Sequence, residues 1–220
     1  MNAHTFLTFV QNQYDFGRAN AIMSEINLKN CWKQWFTAEL VHMCNQSDSP
    51  LVTQTDVHYP GVTQGDDPQI DCKPLFLSYH PTKGVEAVTE KRNGSRCDFT
   101  MVDGTLADGS ITDASQTNYL EIRCANAELF VKNKDLSKFE SDIKRIEALK
   151  AANPTLQMTA LFAFYGAFSS KQIESFKVMD NSNRCSYVLD SALTGSTSIA
   201  RLCQMARAGE PRLCLAAFSV

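Results

Sequence analysis

The pattern of hydrophobic and polar positions divides the chain into helical and extended segments. Between residues 135 and 152, apolar residues recur at spacings of three and four, which is the period of an amphipathic helix. Residues 4–45 have a helical pattern interrupted near Gly17, and residues 170–178 and 198–208 favour shorter helices. Apolar runs that are alternating or continuous predict strands at 74–80, 97–103, 118–124, 155–166 and 212–219.

This interleaving of helices and strands favours a layered α/β fold around one sheet. A length of 220 residues fits a single domain, residues 1–220. Residues 46–72 are rich in Ser, Asp, Thr, Gln, Pro and Gly, and predict a long surface loop with a short strand near 56–59. The pair Asn93-Gly94 favours a turn.

Composition narrows the class of protein. The chain is 44% hydrophobic and 20% charged, which is typical of globular proteins. Its eight cysteines form no CxxC pair and its four histidines no HxxxH or HExxH pattern, so a zinc site is not favoured. Without the pattern of a secretory signal or a membrane helix, we expect a cytoplasmic protein with reduced thiols. The net charge of −3 disfavours a strongly basic nucleic-acid-binding domain.

Two of the predicted strands alternate between apolar and polar residues, so each has one apolar and one polar face. The apolar faces carry Leu120, Ile122 and Cys124 on one strand and Cys97, Phe99 and Met101 on the other. The polar faces carry Tyr119, Glu121 and Arg123 on one strand and Asp98 and Thr100 on the other. If the strands pair, Asp98 and Glu121 lie on the same face. Two carboxylates repel each other unless a cation such as Mg²⁺ lies between them, and the alternative is a pair of solvated side chains.

A third acidic residue lies within an apolar helical stripe. With Trp32 at zero and about 100° per residue, Glu39 falls at about 340°, between Trp35 at about 300° and Met43 at about 20°. A buried carboxylate needs a partner or a metal. The alternative is a glutamate at the edge of the stripe, with its stem along Trp35 and its head in water.

These residues resemble the PD-(D/E)xK, or restriction-endonuclease-like, nuclease superfamily. The resemblance lies in a helix with an inward Glu39, Asp98 on one strand, Glu121-x-basic on the next, and then a helix and a strand. It implies an αβββαβ core with a mixed central sheet flanked by helices. This core would cover about residues 24–166, and about residues 167–220 would form a C-terminal extension packed on it.

The resemblance also assigns roles to residues. Asp98 and Glu121 would ligate Mg²⁺, or Mn²⁺, with the backbone carbonyl of Ile122. Glu39 would match the accessory acid that orients a ligand or a metal-bound water. Arg123 stands where the family has a lysine. Arginine stays protonated, so it cannot accept a proton, but it can stabilise charge on a phosphate.

Another lysine could replace the missing one, and the sequence leaves three open: Lys83, Lys132 and Lys134. The implied function is metal-assisted hydrolysis of a phosphodiester bond. Basic residues expected to contact phosphate are Lys91, Arg92, Arg96, Lys132, Lys134, Arg201 and Arg207.

The implied partner is nucleic acid, with DNA expected, and a homodimer or a protein partner is left open. Two alternatives stand beside the nuclease. One is an inactive nuclease-like fold that acts by binding or regulation, which Arg123 and the negative charge favour. The other is an α/β protein unrelated to the superfamily.

Overall fold

The computed structural model describes residues 2–25, 32–46, 51–62, 73–80, 83–103, 117–126, 134–177, 180, 186–205 and 209–220. The helices are α1 (Ala3–Gln13), α2 (Phe16–Glu25), α3 (Trp32–Gln46), α4 (Lys134–Ala152) and α5 (Ser170–Lys177). The strands are β1 (Leu51–Thr55), β2 (Leu75–His80), β3 (Gly84–Glu90), β4 (Phe99–Asp103), β5 (Asn118–Asn126), β6 (Gln157–Gly166), β7 (Ser186–Asp190), β8 (Ile199–Arg201) and β9 (Arg212–Ser219).

A mixed seven-stranded sheet forms the centre of an α/β fold, in the strand order β1-β4-β5-β6-β9-β7-β8. The strands β5 and β6 are parallel, with α4 as the connection between them. All the other pairs are antiparallel. On one side of the sheet β4 lies between β1 and β5, and on the other side β9 lies between β6 and β7, with β8 next to β7. The predicted α/β class, the pairing of the two alternating strands and the helix before β6 are therefore confirmed.

Helices cover both faces of the sheet. On one face, residues of α1, α2 and α3 pack with Leu120, Ile122 and Leu161. On the other, α4, α5 and the β2–β3 hairpin pack with residues such as Phe162 and Phe164. Neighbouring residues of β6 contribute to opposite clusters, which explains its continuous apolar sequence.

Some predicted elements differ in the structure. The strand beside β4 is β1, within the segment that the sequence predicts to be a loop. The predicted strand at 74–80 forms β2, but among the described strands its partner is β3, in a separate two-stranded sheet. No residue of β3 is fully buried, and its apolar residues Val85, Ala87 and Val88 do not alternate regularly with polar ones, so it lacks the pattern of a core strand.

The helical N-terminal region breaks at Tyr14 and Asp15, and Gly17 lies inside α2. Near the C-terminus, the predicted helix 198–208 is wrong. Its described part forms β8 and a short 3-10 turn over Leu202–Gln204. The C-terminal strands extend the central sheet itself, since β9 lies between β6 and β7.

Candidate functional site

The strands β4 and β5 separate at Asp98. Their last paired residues are Phe99 and Leu120, and the N–H of Asp98 donates to the carbonyl of Leu120. The carbonyl of Asp98 instead accepts from the N–H of Asp56, on the β1 side. We call this opening, which is bordered by Asp98, Glu121 and Ile122, the fork.

The chain bends at the fork, and the bend reverses the face on which Cys97 lies. Phe99 and Met101 pack in the cluster under α1–α3, whereas Cys97 packs in the cluster under α4. The expectation that these three share one face is therefore wrong. The N–H of Cys97 donates to the carbonyl of Val57, so the chain follows the segment after β1 and leaves β5.

Asp98 spans the fork with its carboxylate. Its Oδ2 accepts the backbone N–H of Ile122 at 2.6 Å. Its Oδ1 lies 2.7 Å from Nζ of Lys33, at the first turn of α3. The Asp98 side chain is 21% exposed and that of Lys33 is 44% exposed, so solvent reaches this pair.

Glu121 is more deeply buried and has two partners on the α4 side. Its Oε2 lies 2.5 Å from a terminal guanidinium nitrogen of Arg145, and Tyr59 donates its hydroxyl to Oε1. The side chain is 11% exposed. Burial raises the pKa of Glu121, and the charge of Asp98 acts in the same direction, while Arg145 and Tyr59 oppose the shift. The geometry that relates the two acids is the hydrogen bond from the backbone N–H of Ile122, the residue after Glu121, to the carboxylate of Asp98.

Arg123 turns toward α4, where its Nε donates to Asp142. On β5, Glu121 and Arg123 are two residues apart and share a face, and on α4 Asp142 and Arg145 are three apart and share a face. Because the helix runs back along the strand, each residue meets one of opposite charge. We call these two ion pairs the α4–β5 ladder. Arg123 is therefore held by Asp142 in this structure.

Glu39 lies on another side of α3. Its Oε1 lies 2.6 Å from a guanidinium nitrogen of Arg18 in α2, and its side chain is 19% exposed. Within the described ranges, no three His, Cys, Asp or Glu side chains form a group that could hold a metal. The structure thus holds the carboxylate of Asp98 at the residue that follows Glu121, whereas Glu39 pairs with Arg18 and is not part of this group.

The oxygen atoms at the fork suit a hard divalent cation. Asp98 and Glu121 supply carboxylates. In an extended strand, the N–H and C=O of one residue point to the same edge, so the carbonyl of Ile122 faces the fork along with its N–H. Nε of Arg145 is a buried donor with no hydrogen-bond partner among the described residues, and it suits a phosphate oxygen or a water. The residues therefore fit Mg²⁺ beside a phosphate, provided that Lys33 and Arg145 yield carboxylate oxygens to the metal.

A cavity of about 640 Å³ adjoins the fork. One end is formed by Asp98 and Lys33, and most of the wall is one face of α3. Its lining consists of Lys33, Gln34, Thr37, Ala38, Val41, His42, Asn45, Thr55 and Asp98.

The sequence alone did not identify Lys33, Arg145 or Tyr59 as part of the site. The sequence held an indication for Arg145. This residue lies between Ile143 and Ile146, two buried positions of α4, and so borders the buried face of the helix. Lys33 lies beside Trp32 at the start of α3, but only the packing of that helix over the fork brings its amine to Asp98.

The other basic residues named from the sequence are dispersed. Arg96 pairs with Asp56, and Arg201 with Asp180. Nζ of Lys91 lies over the Phe76 ring. Lys132 and Arg207 fall outside the described residues, as does the side chain of Lys134.

Comparisons with protein-family models, with curated proteins and with solved structures gave no match. The five described cysteines, Cys44, Cys97, Cys124, Cys203 and Cys214, form no disulfide with one another. In the part of the chain that the structure describes, no helix has both the length and the apolar character needed to cross a membrane.

Proposed function

We propose that the chain is a Mg²⁺-dependent nuclease of the restriction-endonuclease-like type, with its active site at the fork and DNA as the expected substrate. One observation carries the proposal: Asp98 leaves the sheet with its carboxylate at the N–H of Ile122, next to Glu121 along β5, and is met there by the amine of Lys33. The order of elements supports it. The chain runs α3, β1, β4, β5, α4, β6, which is an αβββαβ order with the β2–β3 hairpin inserted.

In this proposal, Asp98, Glu121 and the carbonyl of Ile122 hold the metal. When bound, Mg²⁺ supplies a positive charge that polarises a phosphoryl oxygen and lowers the pKa of a water. Tyr59 and Arg145 orient the carboxylate of Glu121 from the buried side.

In this proposal Lys33, and not Arg123, has the role of the lysine of the family. Arg123 is engaged by Asp142, whereas Lys33 lies on the solvent-accessible side of the fork. With Asp98 engaged by a metal, the amine of Lys33 would be free to donate to a non-bridging phosphate oxygen. There it would offset the negative charge that develops during hydrolysis.

Metal binding and cleavage test the proposal together. We expect Mn²⁺ to bind wild-type protein with one-site behaviour in calorimetry, and Asp98→Asn and Glu121→Gln to abolish that binding. With a supercoiled plasmid and Mg²⁺, both variants should lose nicking, and Lys33→Ala should lose about 100-fold in rate while it still binds Mn²⁺. Arg123→Ala should retain more activity than Lys33→Ala.

Two exposed residues of α4 provide controls. Glu140→Gln and Lys144→Ala remove charges of the same signs at exposed positions of α4 and should behave as wild type. Absence of Mn²⁺ binding in the wild type, or nicking that survives in both Asp98→Asn and Glu121→Gln, would contradict the proposal.

A second candidate is a nuclease-like fold that binds without cleaving. One observation favours it: Asp98 and Glu121 already have cationic partners, Lys33 and Arg145, so the fork is neutralised without a metal. In that case the wild type would bind nucleic acid, neither Mn²⁺ binding nor nicking would be detected, and Lys33→Ala would destabilise the fold by leaving Asp98 unpaired.

A further inference from the structure

The cavity beside the fork has a shape and a lining that bear on the substrate. It runs along α3 from Lys33 to Asn45, which at 1.5 Å per residue is about 18 Å of helix. Its volume of about 640 Å³ lies in the range of small-molecule sites. The end at Lys33 and Asp98 includes residues of the proposed active site. The end at Asn45 extends away from them along α3.

The chemistry changes along the cavity. At the fork end, Lys33 offers a cation to a phosphate. The middle has an apolar strip from Ala38 and Val41, one turn apart on the helix. The far end has hydrogen-bonding groups from His42 and Asn45. A phosphate, an apolar face and a polar edge in sequence are the features of one nucleotide.

The charges of the lining also argue against a duplex that is bound along its phosphate backbone. Among its nine residues, Lys33 and Asp98 are the charged pair, and they cancel each other. Proteins that bind duplex DNA along its backbone do so with several cations. In addition, amide and imidazole groups reach the Watson–Crick edge of a base only when that base is unpaired.

We propose that this cavity, which we call the α3 cavity, binds one unpaired nucleotide of a nucleic-acid substrate, next to the phosphate at the fork. The inference rests on the proposed function for the position of that phosphate. The apolar strip of Ala38 and Val41 contacts the face of the base. Gln34, Thr37 and Asn45 are the donors and acceptors that meet its edges and the sugar.

The probe is a fluorescent DNA hexanucleotide, measured by anisotropy with wild-type protein in Ca²⁺, which takes oxygen ligands as Mg²⁺ does, and in parallel in EDTA. We expect the single strand to bind at least about 10-fold more tightly than the same sequence in a blunt duplex. Its affinity should depend weakly on salt, with a logarithmic slope of magnitude about 1, since one or two phosphates are contacted. A ribonucleotide hexamer of the same sequence reports which sugar the cavity accepts.

Two variants at exposed positions of α3 locate the binding. Ala38→Leu fills the cavity and should weaken binding by about 10-fold, and Asn45→Ala should weaken it by about 3- to 10-fold. Their matched controls are Ala151→Leu on α4 and Gln46→Ala at the end of α3, and both should bind as wild type does. Circular dichroism verifies that all four variants fold.

The outcomes separate the two proposals. Equal binding of duplex and single strand, or full affinity in Ala38→Leu, would overturn the α3 cavity as the nucleotide site. Mn²⁺ binding and plasmid nicking that persist in that case leave the proposed function intact. Conversely, hexanucleotide binding that is lost in Ala38→Leu, in a protein that neither binds Mn²⁺ nor cleaves, supports the cavity and contradicts the nuclease.

Discussion

At the scale of single residues, the fork depends on cations that come from two different helices. Lys33 reaches Asp98 from α3, and Arg145 reaches Glu121 from α4 on the other side of the sheet. A buried carboxylate without such a partner is costly. Burial raises the pKa of Glu121, and the charge of Arg145 opposes that shift. The cation that each acid meets is therefore determined by how the two helices pack on the sheet.

Asp180 offers a prediction about acid stability. Its side chain is 1% exposed, and it accepts from the guanidinium of Arg201 and from the backbone N–H of Cys203. Burial alone would raise the pKa of Asp180, but these hydrogen bonds outweigh burial and hold it below the ordinary value of 3.8. The folded state then binds fewer protons here than the unfolded state. The stabilisation is present above that value and is lost as pH falls through the folded pKa.

Asp180→Asn should therefore cost about 1 to 2 kcal/mol in free energy of unfolding at roughly pH 6. The difference from wild type should shrink when both proteins are denatured with urea at roughly pH 3. Glu174→Gln, in the exposed pair with Lys177, should cost little at either pH. A difference between wild type and Asp180→Asn that does not change with pH would contradict the assigned role of the carboxylate.

The sequence predicted the acids of the fork better than their partners. Glu121 and Arg123 share a face because strand alternation is a local property. Asp98 was expected on the same face as Glu121, and in the structure its carboxylate accepts the N–H of Ile122, the residue after Glu121. By contrast, Lys33 meets Asp98 only after α3 packs across the sheet, and periodicity holds no information about that contact. Glu39 satisfied the helical pattern, yet α2 supplied Arg18 as its partner.

At the scale of elements, the strongly periodic segments were predictable and the short strands were not. The predicted α4 and β6 agree closely with the structure, because the apolar residues that predict each element are also the residues that it buries. The strands β1, β3 and β7 lacked that signal. β1 is an edge strand with two exposed residues, and its place in the sheet depends on pairing with β4, which no local pattern encodes.

The α4–β5 ladder should help to set the register of that helix on the sheet. Arg123→Asp and Asp142→Arg each place like charges together, and we expect each to cost about 1 kcal/mol or more. The double variant restores an opposite pair with the charges exchanged, so it should recover about 1 kcal/mol relative to the sum of the single costs. Urea denaturation of the four proteins gives this coupling energy.

Glu140→Arg is the matched control for this cycle, since Glu140 is exposed on the same helix. It should change stability little, alone or together with Arg123→Asp. Additive costs in the Arg123–Asp142 cycle would mean that the ion pair does not couple the helix to the strand.

At the scale of the whole molecule, the C-terminal region is part of the central sheet. The sequence predicted β9 but treated the last residues as an extension, because a sequence pattern shows that a strand exists but not between which neighbours it inserts. β9 pairs with β6 on one side and β7 on the other, and six consecutive residues, Leu213 to Phe218, are at most 1% exposed. A core of about 24–166 without this strand would expose one edge of its most buried strand, β6.

This arrangement predicts a single cooperative unfolding transition that a fluorescence probe can test. The chain has two tryptophans, Trp32 and Trp35, both in α3 on the opposite face of the sheet from Val188. Val188 in β7 is 2% exposed, so Val188→Ala removes two buried methyl groups and should cost about 2 kcal/mol. If the sheet unfolds as one unit, the unfolding transitions followed by tryptophan fluorescence and by far-ultraviolet circular dichroism should move to the same new midpoint, with the same loss of free energy of unfolding.

Thr194→Ala, at an exposed position nearby, is the control and should move neither transition. A fluorescence transition that stays at the wild-type midpoint while circular dichroism moves would instead show that the C-terminal strands unfold separately from the α3 side of the molecule.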